Sequence, residues 1–337
     1  MRAVWIDGKE QIELREAADP VAGDGEVRVR VERVGICGSD LHYYFEGANG
    51  EYVVREPLVP GHELSGVVDQ DPSGRLAPGT PVTVHPARFG TEVRGTEGQP
   101  HLWPGGSYLG SASTWPHTQG AMSEYLVVRD DMIRVLPESL PVSRAVLAEP
   151  LGVALHAATR AGDLAGARVL VSGAGPIGLL AVVAAQARGA EHITVSDVLP
   201  EPLARATALG ADRVIQVTEE QLPAEEFDVV FECSGSAIAI SAAGGAVRRH
   251  GTVVQVGMVP NEPRPVNLAP FISKEVSFLG TFRFNDEIDD AVRVLAERPE
   301  VEQVVTHVLP ASEVREAFEL ARDSRRSGKV VIDLAAE

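Results

Sequence analysis

Two patterns of apolar residues divide the chain. Up to about residue 150 they come in short β-branched runs, at 27–34, 64–68, 81–85, 125–128 and 132–136, separated by turn signals such as PSG at 72–74 and PGT at 78–80. Short strands between turns predict a mostly β, barrel-like unit. Residues 86–120 interrupt it with a polar, Gly-rich stretch that has no period, which predicts a long loop or lobe. Beyond Glu149 continuous Val/Ile runs at 168–172, 193–196, 213–217, 228–232, 252–256 and 276–280 alternate with helical patterns at 179–188, 202–209 and 238–247. Such runs predict parallel strands covered by helices on both faces. Helical patterns at 286–297 and 312–321 and an apolar run at 329–334 complete the chain.

A length of 337 residues suggests two domains, and 44% hydrophobic with 23% charged residues is the composition of an ordinary globular protein. The net charge of −18 argues against nucleic acid and anionic lipid as partners. Residues 1–16 carry charges every few positions and form no signal peptide, and the longest apolar stretch, 179–185, is far too short for a membrane span. Cys37 and Cys233 are the only cysteines, which fits a reducing cytoplasm. Lysine occurs only at Lys9, Lys274 and Lys329, which reads as coding bias rather than mechanism.

Chemistry enters with the segment RVLVSGAGPIG at 168–178. Gly173 permits a tight turn, Gly175 lets the backbone approach a pyrophosphate, and Gly178 lets the following helix pack closely on its strand. Pro176 and Ile177 then open the helix, whose N-terminal N–H groups face the phosphates. Asp197 ends the next strand, where it would accept both ribose hydroxyls of NAD and repel the 2′-phosphate of NADP. The plain alternatives are a Gly-rich turn without a nucleotide and, for Asp197, a helix cap. Residues 198–200 are Val-Leu-Pro, with no arginine to neutralise a 2′-phosphate, so NAD is expected.

In the first half, Cys37 in GICGSD, His62 and Glu63 in PGHE, and Glu149 in AEPL combine thiol, imidazole and carboxylate. Zinc takes such mixed ligands, and a catalytic site keeps one position open. Taken singly, each would pass for an ordinary buried Cys, core His or surface acid.

With GICGSDLHYY, PGHELSGVV, AEPLGVALHA, GAGPIG, ECSG, VGM, GTFRF and VTH in order along the whole chain, the sequence resembles the zinc-dependent medium-chain dehydrogenases. Within them it resembles the polyol branch, which includes sorbitol and L-idonate 5-dehydrogenases. The resemblance implies an α/β protein: a GroES-like β-barrel catalytic domain over 1–148, completed by 281–337, and a six-stranded doubly wound Rossmann domain over 149–280. It implies Cys37, His62 and Glu63 as catalytic zinc ligands, with Glu149 reaching the metal directly or through water. Asp40 would orient His62 through its second ring nitrogen, and Ser39 and His42 would pass the alcohol proton to solvent. Tyr43 and Arg283 match substrate-contacting positions; Ile177, Asp197, Val256, Gly257, Met258, Thr281, Phe282 and Arg283 match cofactor contacts. A Cys₄ structural zinc site, common in relatives, is impossible with two cysteines, so one zinc per chain is expected.

The segment 109–128 resembles idonate rather than sorbitol dehydrogenases, notably at Trp115–Pro116–His117. A sugar acid needs a cationic or hydrogen-bonding partner for its carboxylate, and Arg283 and His117 are the candidates. The implied reaction is NAD-dependent oxidation of a secondary alcohol of a sugar acid, L-idonate to 5-keto-D-gluconate, with a neutral polyol such as sorbitol or xylitol as the alternative. Zinc-free quinone or enoyl reductases share the fold but lack reason to keep Cys37, His62, Glu63 and Asp197. The apolar strand at 276–280 suggests a homodimer or homotetramer.

Overall fold

The computed structural model describes residues 1–336, whose backbone contacts divide the chain into two compact units. One comprises Met1–Glu149, Ala291–Asp323 and the C-terminal stretch from Lys329; the other comprises Pro150–Asp290 and Ser324–Gly328. The chain leaves the second unit at Asp290 rather than at 281 because the intervening segment is anchored there. Phe284 is buried beside Gly152, where a Cβ would stand 3.3 Å from its ring, and Glu287 accepts a 2.9 Å hydrogen bond from His156 Nδ1.

The first unit is built on a seven-stranded sheet with Glu26–Gly35 at its centre. On one edge it pairs antiparallel with Glu63–Gln70, which leads on to Pro81–Val84 and Ile133–Val135. On the other, Tyr125–Arg129 pairs with its first half and Lys329–Asp333 with its last residues, Arg33–Gly35. Val27, Val29 and Val31 alternate inward with outward Arg28 and Arg30, as a half-buried strand requires. A register shift between Val31 and Arg33 then moves the buried set to Val34 and Gly35. Their core includes Leu64, Val68, Val82, Val84, Met122 and Val128. The stretch over 86–120 is irregular apart from the paired Ala87–Arg88 and Ser107–Tyr108, an antiparallel bridge between Ser111 and Thr118, and a short 3₁₀ turn at Pro100–Leu102.

The second unit holds six parallel strands in the order Arg213–Gln216, His192–Asp197, Arg168–Ser172, Phe227–Glu232, Val247–Gln255 and Ser277–Gly280. Helices Pro176–Ala187, Pro200–Ala208 and Ala237–Ala246 connect them, giving the doubly wound arrangement expected from the apolar runs. The Pro176–Ala187 helix is buried almost all round from Gly178 to Ala185, which explains why its sequence shows so little polar face. Val247–Gln255 starts before the expected 252 because exposed Arg248, Arg249 and His250 mask its beginning. Among the described residues no helix is long and apolar enough to cross a membrane.

Candidate metal centre and cofactor site

Sheet register assembles the first site. Gly35 pairs with Glu63, so Cys37, two residues past the end of one strand, and His62, one residue before the start of the next, emerge side by side. Gly35 has to be glycine: a Cβ there would lie 2.1 Å from Glu63 Oε2. After Cys37 the chain turns into the helix Gly38–Glu46, with Cys37 as N-cap and Asp40 returning to it in a capping box. One donor atom each from Cys37, His62 and Glu63 lies within 4.8 Å of the others. A largely buried thiol, imidazole and carboxylate at that spacing fit a zinc ion. Burial works against the His62 charge, yet Cys37, Asp40 and Glu149 outweigh it and push the imidazole up to about 10. A thiol and carboxylates gathered around one buried imidazole make a place that suits a cation.

Glu149, expected to reach the metal directly or through water, lies outside this three-atom cluster. It opens the helix Ala148–Ala161, is buried, and accepts a 2.6 Å hydrogen bond from the Tyr108 hydroxyl. The Tyr108 ring meets His62 edge-on at 5.4 Å. Asp40 departs from expectation. Its Oδ2 accepts from Cys37 N at 2.9 Å and its Oδ1 from Gly61 N at 3.0 Å, while His62 Nδ1 is buried with no hydrogen-bond partner. Asp40 thus ties the two ligand-bearing segments together through their main chain and acts on the imidazole only through its charge.

Two residues outside the expected set belong here. One is Tyr108. The other is Lys329, 3% exposed, whose Nζ lies 2.7 Å from both the Glu63 Oε1 and Oε2 atoms and 3.1 Å from Ile36 O. The pairing of the Lys329–Asp333 strand with Arg33–Gly35 delivers it. A lone lysine at the head of the apolar run VVID was the sequence signal; Tyr108, inside an aperiodic stretch, had none.

Ser39 and His42 stand three residues apart on the Gly38–Glu46 helix and so share a face. His42 is exposed, its Nδ1 3.1 Å from Glu46 Oε1. Tyr43 is buried, and its hydroxyl accepts from Ala112 N at 3.0 Å. His117 contradicts its assignment as a carboxylate partner. It is buried, its Nε2 accepts from Arg55 N at 3.0 Å, and its Nδ1 is 3.0 Å from Thr114 O. Both ring nitrogens are taken by main chain, and no donor is left for a substrate.

In the second unit the Gly-rich turn has the expected form. Gly173 takes φ 95° against Ser234, and a Cβ on Gly178 would lie 1.8 Å from Gly173 O. Around Gly175, the N-cap of the Pro176–Ala187 helix, a Cβ would meet nothing within 4 Å, and no side chain caps the first turn, where Ile177 lies. Open space before uncapped N–H groups fits a dinucleotide pyrophosphate. Asp197 Oδ2 accepts from Ala174 N at 2.8 Å and Oδ1 from Leu199 N at 3.0 Å, so it also holds the turn. Val256 and Gly257 follow the Val247–Gln255 strand, and Thr281 follows Ser277–Gly280, with its Oγ1 buried and unpartnered. Met258 and Phe282 are exposed, and Arg283, at φ 51°, lays its guanidinium over the Phe282 ring at 4.8 Å.

Comparison with known proteins bears on the family rather than on single residues. Residues 23–138 match the alcohol dehydrogenase GroES-like domain, and residues 176–297 match the zinc-binding dehydrogenase family. The L-idonate 5-dehydrogenase (NAD(P)(+)) of Escherichia coli K12 is 34% identical over 332 residues, covering 96% of each chain. The sorbitol dehydrogenase of Bacillus subtilis is 33% identical, covering 95% of this chain and 93% of that one. The crystal structure of L-idonate 5-dehydrogenase from Escherichia coli superposes with a TM-score of 0.93 at 31% identity, covering 99% of this chain and 98% of the other. Sheet register that gathers a zinc-fitting triad, a parallel sheet that ends in a dinucleotide turn, and relatives alike over nearly their full length lead to one statement: the chain belongs to the zinc-dependent medium-chain dehydrogenases, oxidoreductases that work with a nicotinamide dinucleotide.

Proposed function

We propose that the protein oxidises a secondary alcohol of a sugar acid, L-idonate to 5-keto-D-gluconate, with NAD. The observation that carries this reading is the largely buried Cys37–His62–Glu63 cluster in a chain alike over 96% of its length to an L-idonate 5-dehydrogenase. Cys37, His62 and Glu63 would hold the zinc, which when bound supplies a Lewis acid for the alcohol oxygen, while the nicotinamide supplies the hydride acceptor. Ser39 Oγ receives the alcohol proton and His42, exposed on the same helix face, hands it to solvent. Tyr108 fixes the Glu149 carboxylate, and Tyr43 fixes the backbone at Ala112. Gly173, Gly175 and Gly178 cradle the pyrophosphate, and Asp197, with no arginine at 198–200, selects NAD over NADP.

Arg283 remains as the partner for a substrate carboxylate, a role for which a planar guanidinium is suited. With His117 committed to main chain, one of the two expected carboxylate partners is gone, which favours the second reading, a sorbitol- or xylitol-type polyol dehydrogenase. An NADH assay with L-idonate, sorbitol, xylitol and D-gluconate side by side, with and without a zinc chelator, decides. Chelator-sensitive turnover highest on L-idonate supports the sugar-acid reading; preference for a neutral polyol replaces it.

The protein is also proposed to form a homo-oligomer. Ser277–Gly280 is the last strand of its sheet and Phe278 on it is 46% exposed, an apolar edge that a second copy would cover. Light scattering after size exclusion tests it, and a monomer at micromolar concentration would overturn it.

A further inference from the structure

Glu232 is 0% exposed, yet among the described residues no cationic side chain pairs with it. It ends the strand next to the one that feeds the Gly-rich turn. Its Oε1 accepts from Ser234 N at 3.0 Å and from the Ser234 hydroxyl. Its Oε2 accepts from Gly235 N at 2.9 Å and from Gln255 Nε2 at 2.6 Å. Four donors match the acceptor-only inventory of an ionised carboxylate. Such a group is costly to bury and is retained where its hydrogen bonds are all made.

Those bonds join two chain segments. Ser234 and Gly235 belong to the turn after the Phe227–Glu232 strand, and Gln255 ends the neighbouring one. The Gln255 amide also donates to Gly257 O at 2.8 Å, and the Glu232 carbonyl accepts from Val256 N and Gly257 N, each at 2.8 Å. The two turns are pressed so close that a Cβ on Gly257 would lie 2.4 Å from Gly235 N, and one on Gly235 would lie 2.1 Å from Met258 O.

Sheet order says what this clamp serves. The pyrophosphate turn follows Arg168–Ser172, and Asp197 lies at the end of the strand on one side of it. The strands of Glu232 and Gln255 lie on the other side. A dinucleotide that spans the carboxyl ends of a doubly wound sheet with its adenosine ribose at Asp197 must lay its other nucleoside over that second side. We infer that Glu232 is a positioning residue for the nicotinamide half of the cofactor, fixing the backbone of Val256–Met258 while leaving the adenosine half to Gly173–Gly178 and Asp197. The inference rests on the dinucleotide reading above.

The test is calorimetric binding of NADH and of ADP-ribose, which lacks the nicotinamide, to the metal-loaded wild type, Glu232→Gln and Gln255→Ala. A glutamine at 232 turns an NH₂ toward backbone donors and loses one side of the clamp. Glu232→Gln is expected to weaken NADH by about tenfold, roughly the effect of one hydrogen bond to a charged group, and to leave ADP-ribose within about twofold. Gln255→Ala removes the amide that joins Glu232 to Gly257 O but keeps the carboxylate and its bonds to Ser234 and Gly235, and is expected to give the same selectivity at about threefold. Equal losses for both ligands would mean that Glu232 merely supports the fold, and no loss for either would mean that it places nothing; each overturns the inference. Should Glu232→Gln not fold, Gln255→Ala decides by the same criterion. A wild type that binds neither ligand would instead overturn the dinucleotide reading.

Discussion

Lys329 and Glu63 form an ion pair with both side chains at most 3% exposed, and the second partner is also a member of the metal-fitting triad. The ammonium is held against the cost of burial: Glu63, Cys37 and Glu149 together push its pKa upward. A carboxylate so placed has a fixed direction before any ion arrives.

Removing one member of a buried pair leaves the other uncompensated. Lys329→Met is expected to lower stability by about 3–5 kcal/mol, read from urea unfolding of the metal-free protein. Adding Glu63→Gln should recover part of the loss. A double-mutant cycle with a coupling below about 0.5 kcal/mol would show that the pair does not act as a unit.

Cys37→Ser exchanges a soft thiolate for a hydroxyl that binds zinc poorly. Zinc per chain, measured by elemental analysis after dialysis, should fall from about one to below about 0.1, with circular dichroism unchanged. Full retention of zinc would remove Cys37 from the ligand set.

Burial and the charge of Glu232 push the Cys233 thiol well up. A thiol so disfavoured as thiolate is a poor nucleophile at neutral pH. Iodoacetamide at pH 7.5 followed by mass spectrometry should leave Cys233 unmodified in the folded protein, with any labelling after zinc removal at Cys37. Fast labelling of Cys233 would contradict its environment.

Asp197 should set cofactor choice. Asp197→Ser combined with Val198→Arg removes the repulsion and adds a phosphate partner. The ratio of kcat/KM for NADP over NAD should rise by at least about a hundredfold, or about 2.7 kcal/mol. A ratio that does not move would place the adenosine ribose elsewhere.

Burial works against the Glu287 charge, but the His156 hydrogen bond, the Asn285 N–H and the His156 charge hold its carboxyl at about 2 instead of 4.5. A carboxylate lowered by folding adds stability above its unfolded pKa and loses it as pH falls through the folded one. The urea midpoint should therefore drop between pH 4.5 and about 2, and His156→Ala should flatten that drop. Parallel curves for the two proteins would rule out the linkage.

Much of the fold was legible because it repeats simple periods. The Val/Ile runs at 168–172 and 193–196 are buried on both faces and could hardly be read otherwise. The triad was legible only through its motifs, since Cys37 and Glu63 are distant in sequence and meet through the Gly35–Glu63 register. What escaped was of another kind. The helix Gly38–Glu46 was signalled only by a cysteine-led capping box, a variant of the usual Ser/Thr form. The commitment of Asp40 and His117 to distant main-chain atoms depends on where residues 61 and 55 come to lie, which no local pattern encodes. Tyr108 reaches Glu149 from an aperiodic segment and leaves no trace in hydropathy.

The scarcity of lysine has a practical side. Lys329 is sealed against Glu63, and Lys274 is 6% exposed with its ammonium donating to Gly245 O and Val247 O. Only Lys9 is exposed, while the terminal amine of Met1 is held by Asp19 at 2.6 Å. Lysine-directed coupling therefore has one principal address on the folded chain, so an immobilised or dye-tagged preparation made through lysine would be tethered at the Lys9 turn, which packs against Gly47 at the end of the Gly38–Glu46 helix.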